Sequence, residues 1–250
     1  MSIIIKFGRR QQKHKSFASV LKIPVYNSIS RIDWVEDTGE QLPSELPRNL
    51  KTLICNRRNL KTLPNLPSNM TKLECNNNQL TKLPTLPATL KVLDVGNNKL
   101  MKLPSLSRLT NLKELYCGSN NLRFLPNVPD SLIHLACELN NITILPRNMP
   151  SRLKYLNIEH NNVRELPLSI LECDMFTTTT LMKNYPYYEL EDFYQDALNL
   201  EGNPVDDAID DCNFNLELYF KTLMKKQIKE ERKRKRKEDN RENKKIKKEQ

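Results

Sequence analysis

The stretch LKTLICNRRNLKTLP, Leu50 to Pro64, is answered by MTKLECNNNQLTKLP, Met70 to Pro84. Laid over one another, the two share apolar residues at the first, fourth, sixth, eleventh and fourteenth positions and a proline at the fifteenth. The series returns as Leu90, Leu93, Val95, Leu100, Leu103, Pro104 and as Leu112, Leu115, Cys117, Leu122, Leu125, Pro126. It returns again as Leu132, Leu135, Cys137, Ile142, Leu145, Pro146 and as Leu153, Leu156, Ile158, Val163, Leu166, Pro167. The six copies begin at residues 50, 70, 90, 112, 132 and 153. A fixed period of this size is the mark of a stacked array whose units cannot bury their apolar face alone.

Each position has a physical reading. Leu-x-x-Leu-x-Cys ends in alternating apolar residues and predicts a short strand with one buried face. A lone strand leaves both edges unpaired, so neighbouring copies should pair in parallel along the array. The ninth position is Asn78, Asn98, Asn120, Asn140 and Asn161. Its amide both donates and accepts, which suits a turn whose backbone groups point inward. The Leu-Pro step and the later Pro67, Pro87, Pro129 and Pro150 predict an extended, polyproline-like outer side. Arg58 interrupts the Asn series. A charge is not buried unpaired, so either Asn59 substitutes or Arg58 swings to solvent, and a locally irregular turn is expected.

The pattern resembles the short bacterial-type leucine-rich repeat of enterobacterial secreted effectors. Arrays rich in Lys, Asn and Ile, with Cys at the sixth position, are similar to those of amoeba-infecting giant DNA viruses. The resemblance implies a leucine-rich-repeat solenoid, with short parallel strands on the concave face, an extended convex side and, here, a C-terminal α-helix. It covers residues 29–209. Clear repeats occupy 50–171. Degenerate copies are expected at 29–49, where Ile29, Ile32, Trp34 and Leu42 fit the offsets, and at 172–209, where Leu198, Leu200, Asn203 and Val205 fit. Between these, residues 174–194 read better as a degraded copy than as a loop. Residues 1–28 form a basic N-terminal segment, and 210–250 a helix with a charged tail. That helix is anchored by Leu216, Phe220, Leu223 and Ile228 at helical spacing. The tail looks like a coiled coil, but Ile246 is its sole apolar residue after about residue 229, too few for a self-pairing seam.

The net charge of +10 is unevenly placed. Residues 221–250 carry +9 and residues 1–15 carry +5, leaving −4 on the body. The high pI therefore describes the ends. No apolar run is long enough to cross a bilayer, and the apolar part of Met1 to Lys6 is too short for a leader. The expectation is a soluble intracellular monomer in the cytoplasm or nucleus of a host cell.

The concave face is the usual binding surface of a solenoid. Its outward positions, the third, fifth and seventh, sum to −4 across the array, with the acids concentrated after Lys72. Tyr116, His134 and Tyr155 fall on consecutive strands, among Asp94, Glu114, Glu138 and Glu159. Aromatic side chains within charge suit a protein-binding hot spot, so this patch is the candidate contact for an unknown protein carrying basic or mixed charge.

Catalytic chemistry finds little support. The chain holds 3 His and 5 Gly and lacks phosphate loops, zinc-protease motifs and nucleophile elbows. Cys55, Cys75, Cys117 and Cys137 read as small core residues, with spacings unlike any zinc motif. Neighbouring rungs bring Cys55 and Cys75 within reach of a bridge, whereas a reducing compartment keeps both as thiols. No cofactor and no metal are expected. Some effectors with similar repeats carry a ubiquitin-ligase domain with a catalytic Cys, which turns attention to Cys173, but that domain is larger than the C-terminal remainder of this chain. The run Arg232, Lys233, Arg234, Lys235, Arg236, Lys237 is of the kind read by nuclear import machinery. It also suits salt-dependent attraction to nucleic acid. The leading reading is a non-catalytic protein-interaction scaffold, and the alternative is a nucleic-acid-associated protein acting through this tail.

Overall fold

The computed structural model describes residues 3–35, 41–176 and 198–205, together with the helical residues 219, 222, 225 and 229. The chain divides into two compact units, Met1–Pro204 and Val205–Gln250. The first is a solenoid built on one sheet of ten strands.

Seven of these strands are the array. They are β3 (Arg31–Trp34), β4 (Thr52–Ile54), β5 (Lys72–Glu74), β6 (Val92–Asp94), β7 (Glu114–Tyr116), β8 (His134–Ala136) and β9 (Tyr155–Asn157). Each pairs in parallel with the next, in a register that aligns equivalent repeat positions, as Leu53↔Leu73↔Leu93 illustrates. The alternation read from the sequence appears directly, since the fourth position faces inward and the third and fifth face the open side. The first, fourth, sixth and eleventh positions are 0% exposed in all six clear copies, so the core is a continuous column of Leu, Cys, Val, Ile and one Met. Ile29, Ile32 and Trp34, on the rung of β3, are buried as well.

The return strokes between β4 and β9 hold no helix. The second proline of a copy opens a tight turn, and its carbonyl accepts the N–H that starts the next copy. Leu50 bonds Pro47, Met70 bonds Pro67, Leu90 bonds Pro87, and Leu153 bonds Pro150 at 3.0–3.2 Å. Pro167 lies at φ −68° and ψ 140°, in the polyproline region.

The N-terminal end adds two strands to the sheet. Residues 3–14 form a hairpin of β1 (Ile3–Phe7) and β2 (Arg10–His14), which extends the sheet antiparallel beyond β3. The helix α1 (Phe17–Leu21) follows, capped by Ser16. Ile3, Ile5, Phe17 and Val20 are buried and seal the column, with Phe17 edge-on to Trp34 at 5.1 Å. The edge strand β2 reads Arg-Gln-Gln-Lys-His, polar throughout, which discourages pairing with another chain.

One further strand ends the sheet on the C-terminal side. The strand β10 (Leu198–Asn199) pairs directly with β9, as Leu198↔Leu156 and Asn199↔Asn157. Residues 177–197, on which the reading of 174–194 as a degraded copy falls, lie outside the described residues. Val205 and Asn203 are buried. In the second unit, Tyr219, Thr222, Lys225 and Lys229 are helical. The expected anchors Leu216, Phe220, Leu223 and Ile228 and the charged tail lie outside the described residues.

Candidate functional site

The Asn turns position everything on the open face. Asn78 Nδ2 donates to the carbonyls of Cys55 and Cys75 at 2.9 Å and of Asn76 at 3.2 Å. Its Oδ1 accepts from the N–H groups of Arg58 and Leu60 at 2.9 and 3.0 Å. Asn98, Asn120, Asn140, Asn161 and Asn203 likewise bond two carbonyls of their own turn and one of the preceding rung. From Asn161 the ladder passes to Asn203, whose Nδ2 reaches the Ile158 carbonyl at 2.7 Å, in agreement with the direct β9–β10 pairing. The residue before the ninth position of each copy is left-handed, with φ between 49° and 56° at Arg57, Asn77, Asn97, Ser119, Leu139 and His160 and 69° at Gly202.

Arg58 neither swings out nor yields to Asn59. It is half-buried, with its guanidinium on the Trp34 carbonyl and 5.7 Å from the Trp34 ring centre. Asn59 bonds Gln79 instead. The turn is irregular as expected, with Asn59 left-handed in addition to Arg57.

On the open face of the sheet, His134 and Tyr155 are register partners on β8 and β9, and their rings stack at 4.0 Å with 19° between planes. Tyr116 pairs with Ala136, whose small side chain leaves room for the Tyr116 ring to reach His134 diagonally at 5.0 Å. Three rings thus line one strip across β7–β9. The Tyr116 hydroxyl donates to Glu114 Oε2 at 3.2 Å. Burial and the Glu114 charge push the Tyr116 phenol up to about 12, so it stays a donor near neutrality. Burial raises the Tyr155 phenol as well. Burial lowers His134, against a smaller opposing pull from Glu114, so the ring is neutral near pH 7 and leaves the acidity of the face intact.

The carboxylates divide into two groups. Asp94 lies beside Tyr116 in register, bonded by Asn76 Nδ2 and by the Gly96 N–H. Its pKa is raised chiefly by burial. Glu138 is raised by burial and by the charges of Glu159 and Asp94. Its carboxylate sits against Gly118, where an added Cβ would fall 2.1 Å from Oε1, and its Oε2 is buried without a hydrogen bond. Glu159 turns toward the end of the array, bonded by Asn199 Nδ2 at 3.0 Å. The sequence reading overlooked the space supplied by Gly118 and Ala136, whose signal was two small residues flanking the aromatic positions. A shallow cavity of about 460 Å³ near Met101, Arg123 and Thr143 lies past the Asn turns, off the strand face.

Cys55, Cys75, Cys117, Cys137 and Cys173 are buried free thiols. Burial pushes Cys173 up to about 12, with Asp174 and Glu172 adding to the shift, so it forms no thiolate near neutrality and is a poor nucleophile. Arg232 to Lys237 lie outside the described residues. No helix among the described residues is long and apolar enough to cross a membrane.

Residues 88–129 match the family model for leucine-rich repeats in two copies. The match spans two turns of the array. Among similar solved structures is YopM from Yersinia enterocolitica WA-314, 38% identical, with a TM-score of 0.52, covering 55% of this chain and 31% of its own. YopM from Yersinia pestis, described as a leucine-rich effector protein, is 34% identical with a TM-score of 0.52, covering 56% of this chain and 40% of its own. The leucine-rich-repeat domain of a Shigella effector is 43% identical with a TM-score of 0.45, covering 48% of this chain and 53% of its own. The chain therefore spans less than two thirds of each of these relatives. No curated protein matches the chain.

Proposed function

We propose that the chain is a non-catalytic interaction module, and that the strip of Tyr116, His134 and Tyr155 with Asp94, Glu114, Glu138 and Glu159 receives a basic segment of another protein. Leucine-rich-repeat solenoids generally bind protein partners on their inner face. The observation carrying this reading is the stacked aromatic strip bordered by carboxylates. Ring faces attract Lys and Arg cations, and rigid aromatic side chains lose little freedom on binding. The neutral His134 leaves the four acids as the net charge of the patch.

The similarity to effector proteins supports an interaction role. Placement in the cytoplasm or nucleus of a host cell, and the likeness to giant-virus repeats, rest on the sequence. So does a role for Arg232 to Lys237 in nuclear import or nucleic-acid contact.

Affinity capture with the full chain, comparing wild type with the Tyr116→Ala/Tyr155→Ala double variant, tests the reading. A set of partners recovered by wild type should be lost from the variant while its circular dichroism is unchanged. Equal recovery of every partner sinks the idea.

A further inference from the structure

At the C-terminal end of the sheet, Glu159 and Glu201 hold the same repeat position on the neighbouring rungs of β9 and β10. Two like charges facing one another across paired strands destabilise the pair unless a cation lies between them. His160 follows Glu159 at the left-handed turn position, φ 49°, where the other copies place Arg, Asn, Ser or Leu. The next rung has Gly202 at that position, and an added Cβ there would stand 2.2 Å from His160 Nδ1. The missing side chain makes the space the imidazole occupies. With Nδ1 held against Gly202, the second ring nitrogen, Nε2, lies 3.3 Å from Glu159 Oε1. One donor atom each from Glu159, His160 and Glu201 falls within 4.8 Å of both others.

We propose that Glu159, His160 and Glu201 form a binding site for a divalent transition-metal ion, of which Zn²⁺ is the best fit. The donor set is one imidazole nitrogen and two carboxylates. Imidazole disfavours Ca²⁺ and Mg²⁺, which take oxygen ligands, and suits zinc-like ions. A tetrahedral ion with bonds of about 2.0–2.1 Å sets its ligand atoms roughly 3.3 Å apart, the separation found between His160 Nε2 and Glu159 Oε1. Glu201 is exposed and closes the remaining distance by rotating its side chain. Support comes from behind the donors: Asn199 Nδ2 bonds the second oxygen of Glu159 at 3.0 Å, and the Asn199 side chain also accepts the Glu201 N–H at 3.1 Å. Such outer bonds fix ligand direction. The fourth position is open to water or to a donor from a bound partner. This site does not depend on the aromatic strip having a partner. No other group of three such donors occurs among the described residues.

The test is a Zn²⁺ titration of the full chain carrying Cys212→Ser, which removes the thiol outside the described residues. Calorimetry should give one ion per chain. The ring resonances of His160 should move, while those of His14 and His134 stay in place. His160→Asn places a common residue at a left-handed turn and so keeps the fold. It and Glu201→Gln should each weaken binding by at least about tenfold. Absence of binding heat, a shift at His14 or His134 in place of His160, or equal affinity in His160→Asn would overturn the proposal.

Discussion

Arg58 donates to the carbonyl of Trp34 through Nε at 3.1 Å and through Nη2 at 2.8 Å. Trp34 is the sixth residue of its copy, and its carbonyl is the group that an Asn side chain satisfies one rung later, where Asn78 reaches Cys55. The guanidinium therefore performs the donor half of the ladder at its first step, and it has no acceptor to perform the other half. Removing it should expose the loss. Arg58→Ala should lower stability by about 2 kcal/mol, the scale of a charged hydrogen bond with a cation–π contact. Urea melts of the two proteins measure the difference, and identical midpoints would show that the contact contributes nothing.

Asn120 satisfies the carbonyls of Val95, Cys117 and Gly118 and the N–H of Leu100. Asn120→Ala strands several buried groups at once and should cost about 3 kcal/mol or more. Asn120→Asp keeps the acceptor but loses the donors, and should be no better. Chemical denaturation of both variants checks this. A loss below about 1 kcal/mol in either would mean that water replaces the amide.

Leu139 is left-handed at φ 53° and 51% exposed, a conformation that a branched aliphatic residue tolerates poorly. Leu139→Gly should stabilise the array by about 1 kcal/mol, since Gly adopts this backbone freely. The gain would appear as a raised thermal midpoint. A lowered one would show that Leu139 packs usefully.

Two groups on the open face of the sheet respond to acid in opposite directions. His134 has a lowered pKa in the fold, so the unfolded chain binds its proton first and stability falls as pH drops below about 6.5. Glu138 has a raised pKa, so its charge destabilises the fold at neutral pH and the penalty fades as pH falls through its folded value. Denaturation midpoints for His134→Gln should lose the acid-side decline that begins near 6.5. Glu138→Gln should be more stable than wild type at neutral pH and bind its partner less well. Parallel pH profiles in variants and wild type would contradict both assignments.

The periodic Leu, Cys and Asn positions determined the solenoid without any coordinates. Their spacing fixes which side chains share a face, and no single rung can bury that face alone. The same periodicity placed Tyr116, His134 and Tyr155 on adjacent strands, because parallel register preserves repeat position. The sequence could not show which rings touch. That depended on Ala136 being small, and on the Tyr116 ring crossing between rungs. That the rung of Leu198 follows the rung of Leu156 in the sheet was decided by their pairing and by the bond from Asn203 to Ile158. The remaining features arise only when rungs stack: the hairpin closing the N-terminal end, Arg58 on Trp34, and His160 lying against Gly202. Each joins residues from different turns, and a local pattern carries no distance between turns.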